Sequence, residues 1–143
     1  MLAEISDRCD AVEECYEFLL AYAAQGLPSD QGSKSGGQVR DFLHRAVEAL
    51  TGLPEACAKA VKQEGLEPAG KYLAFIAVLD RDARDSLAAI EVVLAQPAIS
   101  SQLIDNLNAS IHLRALLTDL FLLGEILRKQ NKPAAEAVTS NGD

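Results

Sequence analysis

Tryptophan is absent from this chain, aromatic residues make up only 5% of it, and β-branched runs are short and few. Strands are built largely from β-branched and aromatic residues, so the shortage argues against a sheet. Basic clusters are missing too: 13 Lys and Arg are spread thinly against 21 Asp and Glu, leaving a net charge of −8. A nucleic-acid binder carries a basic patch or stripe, and an anionic membrane surface repels an acidic protein. Nucleic acid and membrane are therefore not expected partners. No apolar stretch reaches the ~18 residues that span a bilayer, and the most apolar one, from Leu120 to Leu127, contains Glu125. The opening residues, MLAEISDRCD, show no basic flank followed by an apolar core, so no secretory signal is expected.

Cysteine is scarce and odd in number: Cys9, Cys15 and Cys57 cannot all pair within one chain. Cys9 and Cys15 fall six residues apart on one expected helix, roughly 9 Å along its axis, which is beyond the span of a disulfide. Reduced thiols and a cytoplasmic location follow.

What the chain does have is Ala and Leu, which carry most of a 49% hydrophobic fraction and favour helix. A length of 143 residues suits one domain with a core of its own. In the first expected helix, 3–24, Ile5, Cys9, Val12, Tyr16, Leu19 and Ala23 step by three and four, the signature of one buried face. Gly26 and Pro28 end it, and residues 26–37, crowded with Gly, Ser and Asp, read as a mobile loop. A second helix covers 38–51. Gly52 and Pro54 interrupt or bend it before 54–64. A third covers 69–95, with a mixed-charge run at Asp80, Arg81, Asp82, Arg84 and Asp85 that reads as a solvated face with i,i+4 pairs. A fourth covers 101–129, capped by Ser100 or Ser101. The expected fold is an all-α antiparallel four-helix bundle spanning 1–130, with the second helix bent or interrupted near Gly52 and Pro54. The polar, Ala-rich residues 131–143 form an expected disordered tail.

Residues able to do chemistry are few. His44 and His112 lie on different helices, and Asp41-x-x-His44 is a single copy of a spacing that bundle metal sites use in pairs. Phosphate loops, nucleophile elbows and HExxH are lacking. Neither a catalytic group, nor a metal, nor a cofactor is assigned. A small cofactor- or metal-binding bundle stands as one alternative. Ser110-Ile-His-Leu-Arg-Ala-Leu-Leu-Thr118 resembles the phospho-acceptor helix of two-component histidine kinases and their phosphotransfer relatives. Leu113-Arg114 and Leu117-Thr118 fit that pattern, while Ile111 takes the acceptor's place and His112 that of the acid. The resemblance implies a second alternative, phosphotransfer signalling with His112 as candidate phospho-acceptor.

The main expectation rests on the fourth helix. Leu116, Leu117, Leu120, Phe121, Leu122, Leu123, Ile126 and Leu127 cover more of its circumference than one core-facing stripe requires. Leu116, Leu120, Phe121, Leu122, Leu123 and Ile126 are the candidate interface, for another protein or a second copy. The expected function is a non-catalytic adaptor, assembly factor or accessory subunit. The cysteine count gives a first prediction: thiol titration of the denatured, unreduced protein should find three free thiols, and fewer would reveal a bridge.

Overall fold

The computed structural model describes residues 2–130. The expected disordered tail at 131–143 lies outside the described residues. Six helical segments follow one another: α1 (Leu2–Ala24), α2 (Lys34–Leu50), α3 (Leu53–Gln63), α4 (Ala69–Leu94), α5 (Ser101–Ala109) and α6 (Ile111–Gln130). No strand occurs among the described residues. They form an all-α antiparallel bundle with four arms, α1, α2 with α3, α4, and α5 with α6.

The break in the second arm falls where expected. Gly52 sits at φ +85°, a conformation other residues resist, and Pro54 opens α3 where its missing N–H costs nothing. The break in the fourth arm was not expected from the sequence. Ser110 leaves the helical region at φ −64°, ψ 141°, and its Oγ accepts the Leu113 N–H at 3.3 Å, restarting the helix. The interruption shifts the helical phase. Leu107 is buried, but Ile111, one turn further on, is 75% exposed, and Leu113, Leu116, Leu117 and Leu120 fill the core instead.

The chain crossings are held by polar contacts at both ends of the bundle. Neither α2 nor α4 has a basic residue in its last turn, where orphan carbonyls and the negative end of the helix dipole collect. Each borrows an arginine from elsewhere. Arg8 of α1 donates to the carbonyls of Ala49 (3.0 Å) and Thr51 (2.7 Å) at the end of α2. Arg40 of α2 donates to those of Leu94 (2.9 Å) and Gln96 (2.8 Å) at the end of α4. These contacts join the start of one helix to the end of another, which makes the neighbours antiparallel.

Asp30 completes the second cap. Its carboxylate accepts from Arg40 Nε at 2.8 Å and from the Ile99 N–H at 2.7 Å. Burial alone would raise its pKa, but the Ile99 N–H and the Arg40 guanidinium outweigh it and hold the carboxyl below its ordinary 3.8. Its contribution to stability is therefore present above that ordinary value and lost as acid protonates the folded form. Nearby, the buried Tyr22 hydroxyl donates to the Ile99 carbonyl (2.7 Å), and Ser101 Oγ donates to the Tyr22 carbonyl (2.6 Å) and accepts the Leu27 N–H (2.9 Å). The segment read from composition as a mobile loop is thus tied to the 95–101 turn at several points, and α2 begins at Lys34 rather than 38, with Ser33 as its N-cap.

Two adjacent glycines test this packing. A Cβ on the buried Gly36 would overlap the Asp30 carbonyl oxygen, whereas one on the exposed Gly37 meets nothing within 4 Å. Gly36→Ala should destabilise the protein by about 1–3 kcal/mol, and Gly37→Ala should stabilise it by about 0.5–1 kcal/mol through helix propensity. Urea unfolding of both variants measures this. Equal effects would show that the Asp30 turn does not press on α2.

Candidate functional site

The fourth arm carried the functional expectations, so the faces of α6 decide where each residue falls. Leu116, Leu120 and Leu123 are 0%, 0% and 5% exposed and belong to the chain's own core. This corrects their assignment to an interface. The phase shift at Ser110 turns them inward together with Leu113, Leu117 and Leu127, so that α6 has one broad apolar face after all. Ile126 is half-buried. Phe121 and Leu122, at 57% and 51%, remain on the surface.

One flank of α6 packs against α4, and its contacts fix an antiparallel register. Ser86, fully buried on α4, donates through Oγ to the His112 carbonyl at 2.9 Å. One turn along α4, Asp82 faces Asp119 of α6, the two carboxyl groups within hydrogen-bonding reach. Asp119 is 6% exposed, and its Oδ2 has no hydrogen-bond partner. Burial, then the hydrogen bond with Asp82 and its negative charge, push the Asp119 carboxyl up to about 7. Kept as the neutral acid, Asp119 can sit beside Asp82, whereas an ionised carboxylate there would be repelled. No other charged group acts appreciably on Asp119 among the described residues.

This pair is the feature that reading the sequence missed. Asp82 belongs to a charge run taken as a solvated face. Asp80 and Arg84 do form the expected surface pair, at 3.1 Å, but Asp82 is turned half inward. The available signal was position: Asp119 lies three residues after Leu116 and four before Leu123, the spacing of the buried face.

His112 is exposed at the start of α6, with Nδ1 3.9 Å from Asp85 Oδ2. His44 and Asp41 are both exposed on α2, far in sequence from either partner. Among the described residues no three His, Cys, Asp or Glu side chains come together in a way that could hold a metal ion. The thiols of Cys9, Cys15 and Cys57 are all buried and unpaired. Burial pushes each up to about 12, with Glu13 and Asp10 adding to the effect at Cys9. At neutral pH they are protonated and serve as small apolar side chains. Among the described residues, no helix is long and apolar enough to cross a membrane. Comparisons with protein-family models, curated proteins and solved structures give no match.

The carboxyl pair predicts an unusual pH dependence. In the unfolded chain Asp119 titrates near its ordinary 3.8, and in the folded protein at about 7. Between these values the native state holds a proton that the unfolded state has released, so stability falls as pH rises and stays low above the folded pKa. Asn at this position keeps a donor toward Asp82 without the second charge. Asp119→Asn should therefore be more stable than the parent by about 1–3 kcal/mol at pH ~8, with the difference shrinking toward pH ~5. Thermal or urea unfolding across that range measures it. A pH-independent difference would mean that the Asp119 carboxyl is not raised in the folded protein.

Proposed function

We propose that this chain is a non-catalytic, cytoplasmic helical-bundle protein that acts by binding another protein or a second copy of itself, as an adaptor, assembly factor or accessory subunit. The observation that carries the reading is the pair Phe121 and Leu122, two large apolar side chains in succession, each more than half exposed on α6. The seam supports it. The Ser86–His112 and Asp82–Asp119 contacts set the register of α4 against α6, and continuing that register brings Val78, 36% exposed, opposite Leu122. An apolar strip thus straddles both helices. Burying a side chain of this size is worth about 1.5–3 kcal/mol, so two or three of them covered by one partner provide a useful core for an interface. The residues at its edges, Arg114, Thr118, Glu125 and Arg128, are exposed and polar, as an interface rim is.

Because Phe121 and Leu122 contribute little to the core, replacing them should leave the fold intact. Sedimentation should find a dimer, or a stable complex with a partner added to it, at micromolar concentration. Phe121→Glu and Leu122→Glu should each weaken association by about tenfold or more, with helix content and unfolding midpoint within about 0.5 kcal/mol of the parent. A monomer that binds no apolar-surface dye would overturn the proposal.

A further inference from the structure

Further along the α4–α6 seam from the Asp82–Asp119 pair, toward the start of α4, the bundle is incompletely filled. α3 and α6 both pack on α4 but not on each other. The wall that α3 presents is made of small side chains, Cys57, Ala60 and Val61, and the gap between it and Leu123 and Leu127 of α6 is a half-open cavity of about 220 Å³. The first two turns of α4 form its third side and Ile5 of α1 its floor. Apart from one residue, the lining carries no charge. The exception is Lys71, in the first turn of α4.

Several features together narrow what this space accepts. Small-molecule sites in bundles lie between helices, are mostly apolar, and use a few placed polar groups for orientation. A dry apolar cavity of ~150 Å³ already holds a benzene-sized molecule. At roughly 30 Å³ per heavy atom, the volume here takes about seven atoms of an unbranched chain. In a protein of net charge −8, the sole charge lining the cavity is a cation. It stands at the N-terminal end of a 26-residue helix, where the dipole also favours negative charge. Glu67 accepts the Ala69 N–H at 3.3 Å, and the one charge in the lining that can attract an incoming anion is that of Lys71. We propose that the cavity is a binding site for a free medium-chain monocarboxylate, with its chain between α3 and α6 and its carboxylate on Lys71. This site is separate from the apolar strip at Phe121 and Leu122 and does not depend on it.

The test is a titration of the methyl-labelled protein with sodium octanoate, followed by NMR. Saturable shifts are expected at the methyls of Ile5, Val61, Ile76, Leu123 and Leu127, with little change at Val92 and Ile111. Octylammonium, with the same chain and the opposite charge, should bind about tenfold more weakly or worse. Lys71→Glu, at an exposed position that carries no packing, should weaken octanoate by a similar factor and narrow the difference between the two ions. Ala60→Leu, checked for native helix content, should abolish the shifts by filling the space. The proposal is overturned if octanoate gives no saturation by about 10 mM, if octylammonium binds as well, or if Lys71→Glu has no effect. It is equally overturned if only anionic phospholipid vesicles, and not free octanoate, perturb these methyls.

Discussion

The Asp30–Arg40 ion pair is the contact on which the arrangement of this bundle depends. Arg40 satisfies two carbonyls at the end of α4, and Asp30 holds Arg40 while fixing the backbone of Ile99. Three separate stretches of chain meet there: the 25–33 connection, the start of α2 and the 95–100 turn. With about nine-tenths of the Asp30 side chain out of solvent, the pair is desolvated enough that losing one partner would leave a costly orphan charge. The pair also explains why Gly36 cannot carry a side chain, since α2 is drawn against the very turn that positions Asp30. Arg8 plays the matching part at the other end, with Glu4 holding its guanidinium from one turn away. Helix ends lacking their own basic residues are thus completed by arginines from neighbouring arms, which couples helix capping to tertiary structure.

That coupling marks the limit of what the sequence reveals. The helices themselves were legible, because Ile5, Cys9, Val12 and Leu19 repeat at the helical period and Gly52 with Pro54 punctuates the second arm. The Asp30 hub was not legible. Its partners lie ten and sixty-nine residues away, and locally the stretch is rich in Gly and Ser with Pro28 and Asp30, the composition of a free loop. Polar residues in a turn look alike whether they face water or a backbone amide from another helix. The Ser110 break was hidden for a different reason. A serine within Leu- and Ala-rich helix is unremarkable, and the leucines after it are dense enough to satisfy either phase. Only the exposed Ile111 and the buried Leu113 reveal which phase holds.

The same phase determines how the candidate surface is read. Counting apolar residues along α6 suggests an excess on all sides, but the break rotates six of them into the core and leaves Phe121 and Leu122 outside. It also turns Asp119 into the seam with α4, where a charge is poorly solvated. An Ala or Leu at that position would pack without this conflict. The chain instead has two facing acids, of which Asp119 is pushed toward its neutral form. With Asp119 raised in the folded state, the stability of the fold falls as pH rises toward that value.

Coverage of α6 follows in turn from the second arm. The second arm does not continue as one straight helix past Leu50. The left-handed turn at Gly52 leads into α3, which packs mainly on α4, and among the described residues α6 packs on α1, α4 and α5. The cavity beside Leu123 and Leu127 and the exposed Phe121 and Leu122 are the two places where α6 is incompletely covered. Filling the first from within would require larger side chains at Cys57 or Ala60, the small residues that line it. Covering the second would require another helix. Among the described residues the bundle thus closes its core while leaving the cavity and the outer face of α6 open.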